Sequence, residues 1–218
     1  MSKVPQTDSV LIDGPGGRLD ALYETPGEGQ PIGAAVICHP HPQHGGTMQN
    51  KVVHTLSRAF VARNFLALRF NFRGVGQSEG RFDDGGGELQ DALAAGRAAQ
   101  QRLPGRPLWF AGFSFGAAVA IQAAAESDAD GLVSVAPAVA RVKEYKGQQP
   151  ACPWLVIQGS EDELVNVDDT IAWVNDLDPG PELQIFDSTE HFFHGQLVRL
   201  RSAVETFVAE HGPPADHA

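Results

Sequence analysis

Cysteine is nearly absent from this chain: Cys38 and Cys152 are the only two in 218 residues. Neither belongs to a metal-type or redox pair, so a disulfide scaffold, a zinc ribbon and a thiol-redox motif are all excluded. Both cysteines read as packed thiols. Basic residues are also few, 16 against 27 acidic ones, for a formal net charge of -11. A nucleic-acid surface needs clustered Lys and Arg to neutralise phosphates, so no nucleic-acid partner is expected. No apolar run reaches the roughly 20 residues that cross a bilayer, and no membrane partner is expected either. Residues 1–9 lack the apolar core and the small-residue cleavage site of a secretory signal, which makes a cytoplasmic protein the expectation.

What the chain does have is alternation. Short strands at 10–13 and 19–25 flank Gly14-Pro15-Gly16-Gly17, predicting a hairpin and an antiparallel start to a sheet. Further strands are read at 32–38, 65–72, 108–113, 132–135, 154–158 and 183–186, most of them apolar runs of the kind buried on both faces. Helices are read at 51–63, 88–103, 117–126, 167–177 and 196–210; Pro104-Gly105 stops the second, and Asn166 is placed to cap the fourth. Such an order predicts a three-layer, doubly wound, mostly parallel α/β sheet. Only about eighteen residues separate the strands ending at 135 and starting at 154, too few for a helical lid domain. One domain over 1–211 is expected, with 212–218 as a disordered tail.

In a sheet of this kind, reactive groups gather beyond the carboxyl ends of the strands. The fifth of the eight strands runs into Gly112-Phe113-Ser114-Phe115-Gly116, a G-x-S-x-G pattern followed by an alanine-rich helix. On a sharp strand-to-helix turn this pattern exposes the serine hydroxyl, and glycines two residues to either side avoid a steric clash. An ordinary turn can also hold a glycine-flanked serine, so the motif needs company. It has it: His39-Pro40-His41-Pro42-Gln43-His44-Gly45-Gly46 follows the third strand. Gly159-Ser160-Glu161-Asp162-Glu163 follows the seventh, and Ser188-Thr189-Glu190-His191-Phe192-Phe193-His194-Gly195 the eighth. Serine, acid and histidine come in the chain order used by strand-turn-helix serine hydrolases.

With these residues in view the chain resembles the α/β-hydrolase superfamily over nearly its whole length. More narrowly, it resembles the small lidless bacterial serine hydrolases, of dienelactone-hydrolase-like size, that carry Cys38-His39-Pro40-His41-Pro42 after the third strand. The match includes Asn71-Phe72-Arg73-Gly74-Val75-Gly76-Gln77-Ser78-Glu79-Gly80, the Gly112–Gly116 elbow, Gly159-x-x-Asp162-x-x-Val165 and His191-Phe192-Phe193. The resemblance implies Ser114 as nucleophile, His191 as its base and Asp162 as the acid that orients the base. Among the residues themselves, His194 competes with His191, which is favoured because a base must stand in the loop near the strand end. Glu161 and Glu163 flank Asp162 as competing acids, and only the resemblance singles out the aspartate.

An oxyanion formed during acyl transfer needs two backbone donors. The residue after the nucleophile supplies one, the N–H of Phe115. In the loop after the third strand Pro40 and Pro42 have no N–H, so the His41 amide is the predicted second donor. The cluster His39, His41 and His44, with His54, invites a metal site. Alternate residues of an extended segment point to opposite sides, however, and no metal and no cofactor are expected. Arg69 and Arg73 are expected to pair with carboxylates such as Asp83 or Glu79 rather than with an anionic substrate. The expected function is a serine hydrolase of esterase or thioesterase type, acting on a small or short-chain ester or thioester through an acyl-serine. Acyl transfer or peptide cleavage by the same serine are the enzymatic alternatives. A ligand-binding module on the same fold is the non-enzymatic one, and its mark would be a broken triad.

Overall fold

Successive side chains of the central strands enter opposite faces of the sheet, and that alternation builds three layers. The computed structural model describes residues 5–145 and 147–214. Strands β3 (Gly33–Cys38), β4 (Phe65–Phe70), β5 (Leu108–Phe113), β6 (Gly131–Val135) and β7 (Trp154–Gly159) are buried at every residue. Along β5, Leu108 and Phe110 enter one apolar core, while Trp109, Ala111 and Phe113 enter the other. The period of two sends successive side chains to opposite faces, so an unbroken apolar run fills both. Helices α1 (Lys51–Ala62) and α6 (Leu197–His211) cover one face through Leu56, Phe60, Leu200 and Val204. The other face is covered by α2 (Gly86–Arg102), α3 (Phe115–Glu126), the short α4 (Val139–Glu144) and α5 (Val167–Asn175). Each large side chain fully buried this way contributes roughly 1.5–3 kcal/mol.

With β1 (Gln6–Gly14), β2 (Gly17–Thr25) and β8 (Glu182–Phe186), the sheet has eight strands in the order β1-β2-β4-β3-β5-β6-β7-β8. β2 runs antiparallel to β1, as the predicted hairpin required, and also to β4, and the remaining pairs are parallel. The chain reverses its direction of travel across the sheet at β3, between β4 and β5. That switch point opens a crevice at the carboxyl ends of β3 and β5, where Cys38 pairs with Gly112.

The structure corrects several expectations. β4 ends at Phe70 rather than at 72: the Asn71 amide still donates to Asp20 O of β2, but the Phe72 amide turns away to His39 Nε2. α2 begins at Gly86 rather than at 88, because the Glu88 carboxylate accepts the Gly85 and Asp83 amides and caps the helix from within. α4 was not expected at all; its six residues are too short to show a helical period. Asn166 does cap α5, its Oδ1 accepting the amides of Asp168 and Asp169 at 2.8 and 3.2 Å. Arg73 pairs with neither Asp83 nor Glu79 but with the fully buried Asp91, through Nε at 3.0 Å and Nη2 at 2.7 Å. A buried carboxylate needs that partner more than exposed ones do. Arg69 pairs with the buried Glu24 at 2.8 Å, and Glu79 with Arg18.

Of the expected tail, residues 212–214 follow α6 without helix or strand, and 215–218 lie outside the described residues. Cys38 and Cys152 are free thiols, and burial pushes the Cys38 pKa well up. Among the described residues no helix is long and apolar enough to cross a membrane.

Candidate active site

Ser114 follows the last residue of β5 and precedes α3, with φ 56° and ψ -116°. A non-glycine residue with positive φ costs on the order of 1–3 kcal/mol and persists only where its surroundings hold it. Here they do: the Ser114 amide donates to Val135 O, and its carbonyl accepts the amides of Ala117, Ala118 and Ala138. The flanking glycines permit the close approach. A Cβ at Gly112 would run into the Gly116 carbonyl, and one at Gly116 into the carbonyls of Cys38 and His39. The turn is therefore wedged against the end of β3. Ser114 Oγ makes no hydrogen bond to a described residue.

Asp162 and His191 come from loops after β7 and β8, which pair Gly159 with Phe186 at their ends. A Cβ at Gly159 would strike the Thr189 carbonyl, so glycine there lets the two loops touch. His191 Nδ1 lies 2.8 Å from Asp162 Oδ2. A carboxylate cannot donate, so the imidazole carries its proton on Nδ1 and keeps Nε2 as the lone-pair nitrogen. Both side chains are almost wholly buried, at 2% and 0% exposure. Burial pushes the Asp162 carboxyl up, but hydrogen bonds from His191 and the Val165 and Leu164 amides outweigh it and hold the group below its ordinary value. Gln158 Nε2 adds a further bond to Oδ2 at 2.8 Å.

His191 Nε2 has no partner among the described residues, yet no fully buried side-chain nitrogen or oxygen there lacks one. Nε2 therefore opens to solvent at the rim, and by the same reasoning so does Ser114 Oγ. The His191 ring packs on Phe113, the residue before the serine, with centroids 4.9 Å apart. The competitors are placed elsewhere. The His194 side chain is 65% exposed and bonds Glu190 four residues before it. Glu163 accepts the His191 backbone amide at 3.2 Å rather than the ring, and Glu161 is exposed.

On the other flank, the segment after β3 carries His41 into a 3-10 turn, Pro42–His44. Its ring packs on Phe115, the first residue of α3, at 4.9 Å. The His41 amide and the Phe115 amide make no hydrogen bond among the described residues. The histidine cluster does not converge on a point. His39 is fully buried, accepts the Phe72 amide at Nε2 (3.0 Å) and donates from Nδ1 to Pro40 O (2.6 Å). His41 and His44 stack on each other at 4.4 Å. No three metal-ligating side chains gather among the described residues.

Two contributors escaped sequence reasoning. In the sequence His39 belongs to the Cys38–Pro42 match and to a candidate metal cluster, whereas its side chain ties the loop bearing His41 to the end of β4. Gln158 was read as strand alone. A polar side chain at the penultimate position of a buried strand was the available signal, since it must find a partner.

With this geometry in place, comparison with known proteins is informative. The model of the family described as serine aminopeptidase, S33, matches residues 29–151. The chain belongs to this hydrolase family. An uncharacterized protein of Rickettsia prowazekii (strain Madrid E), RP471, is 32% identical over 210 residues, 91% of this chain and 87% of its own. Among solved structures, an α/β serine hydrolase homologue from Coxiella burnetii is 40% identical. It covers 95% of this chain and 100% of its own, with a TM-score of 0.89. XC6422 from Xanthomonas campestris, a serine hydrolase without a lid, is 38% identical over 99% of this chain and 100% of its own, at 0.91. The hydrolase described here is thus of the small lidless α/β type.

Proposed function

We propose that the hydrolase cleaves a small or short-chain carboxylic ester or thioester through an acyl-serine intermediate. Ser114 Oγ attacks the carbonyl carbon while His191 Nε2 takes its proton, and that proton then passes to the departing alcohol or thiol. Water attacks the acyl-serine in the second half, losing its proton to the same nitrogen, which returns it to Ser114 as the acid leaves. Asp162 keeps Nδ1 protonated and stabilises the imidazolium. The amides of His41 and Phe115 receive the oxyanion, each worth a few kcal/mol in the transition state.

The observation that carries this reading is the Asp162–His191 hydrogen bond at 2.8 Å, with Nε2 unpaired and the imidazole packed on Phe113, the residue before Ser114. The place of a lid is taken only by six-residue α4, which favours small acyl groups in an open cleft. Labelling with a fluorophosphonate probe tests the reading. Wild type should label and Ser114→Ala should not, with p-nitrophenyl ester turnover lost in parallel. A folded wild type that never labels would point to a binding module, and label surviving in Ser114→Ala would move the nucleophile elsewhere.

A further inference from the structure

None of the steps above uses a cavity of about 300 Å³ between residues 84–86, α3 and α4. Phe115, whose amide is assigned to the oxyanion, forms part of its wall. Arg141 of α4 is part of its lining. Nη2 donates to Asp84 Oδ1 at 2.9 Å, Nη1 donates to the Asp84 carbonyl at 3.3 Å, and the guanidinium lies 5.2 Å from the centre of the Phe115 ring. A guanidinium has five N–H donors, so three remain without a partner among the described residues. The pair is open to water, with Arg141 33% and Asp84 79% exposed, and pairs of that kind add little to stability. Among the described residues Arg141 is the only cation in the lining; Glu144, which also lines it, is exposed and screened by solvent.

Position decides what the cavity holds. A leaving group must lie beside His191 to receive its proton, and His191 stands beyond β8, on one side of β5. Residues 84–86 follow β4, on the other side of β5; α4 follows β6, on the His191 side, but its Arg141 guanidinium reaches across to Asp84. A carbonyl held at Phe115 with its leaving group toward His191 directs its acyl chain into this cavity. We infer that this is the acyl subsite, and that Arg141 recognises a carboxylate at the far end of the acyl chain. The substrate class is then a monoester or monothioester of a short dicarboxylic acid. The inference rests on the serine-hydrolase reading above and deepens it. Planar guanidinium donors suit a carboxylate, and Asp84 acts as an internal competitor for them.

The two halves of the pair should therefore respond in opposite senses. The readout is the ratio of kcat/KM for p-nitrophenyl hydrogen glutarate to that for p-nitrophenyl valerate. Arg141→Gln should lower this ratio about tenfold, the loss of one charge-assisted contact. Asp84→Asn should raise it severalfold by freeing donors and removing a like charge. If both variants lower the ratio, or neither moves it, the pair is a structural strap and the inference falls. Calorimetric binding of free glutarate to wild type and Arg141→Gln reads the same contact without turnover. Binding by wild type that is lost in the variant supports the subsite even if neither ester is cleaved, an outcome that would refute the hydrolase reading alone. Equal binding by both, or none by wild type, overturns the inference.

Discussion

His39 and His191 are both buried histidines beyond strand ends, at 0% and 2% exposure, yet their chemistry is opposite. His39 spends both ring nitrogens on the backbone, accepting from Phe72 and donating to Pro40. No lone pair remains for a reacting proton, and burial holds its imidazole down at about 4. His191 spends only Nδ1, on a carboxylate, and leaves Nε2 open at the rim. Burial alone does not make a histidine a base; the partners of its two nitrogens decide. One histidine fixes the loop that carries the proposed oxyanion donor, and the other is equipped to move a proton.

The hardest test of this contrast is to remove the proposed base. His191→Ala should lower kcat for a p-nitrophenyl ester by about 10⁴-fold or more, the scale on which triad members act. Under the same assay His194→Ala should change it by less than about twofold, because surface substitutions away from the chemistry have small effects. A large loss in His194→Ala with little in His191→Ala would reverse the assignment.

A smaller effect is expected from Gln158→Leu, which deletes a donor to Asp162 Oδ2, the oxygen that also accepts from His191. The carboxylate keeps the amides of Leu164 and Val165 on Oδ1. A drop of about tenfold in kcat with KM nearly constant is expected, since one lost hydrogen bond to a charged group is worth about that much. A change confined to KM would instead place Gln158 in substrate binding.

The last effect concerns stability rather than turnover. His39 has an ordinary value of 6.5 when unfolded and about 4 when folded. Above the upper value both states are neutral and stability is at its full level. As pH falls through that window the unfolded chain takes up a proton that the folded chain refuses, and stability falls. The loss reaches about 3 kcal/mol by the lower end, at about 1.4 kcal/mol per pH unit. Urea unfolding of wild type and His39→Gln over this range should show a steeper pH dependence in wild type. Parallel curves would mean that His39 is reached by solvent.

Much of this was legible in one dimension because it depends on local pattern. The continuous apolar runs at β3 and β5 predicted strands buried on two faces, and Asn166 announced the cap of α5. Glycines at 112 and 116 marked the one turn sharp enough to expose a serine. Less visible was whatever depends on which elements meet. Arg73 was expected to take a neighbour in sequence, Asp83 or Glu79, but Asp91 stands beside it because α2 packs under the end of β4. Spacing along the chain does not distinguish the three acids at 161–163; only the approach of the β8 loop brings Asp162 to the His191 ring and leaves Glu163 to the backbone amide. α4 was invisible because two helical turns are needed before a period can be read.

Sequence alone, then, determined the sheet, the elbow and the candidate residues, since each follows from side-chain spacing and from what glycine, proline and the capping residues permit over a few positions. Tertiary structure decided the partners of the ring nitrogens and carboxylates, because a hydrogen bond is a matter of ångströms between groups up to 94 residues apart, as for Arg102 and Asp8. Separations of that kind are set by packing, and packing is a property of the whole sheet rather than of any segment.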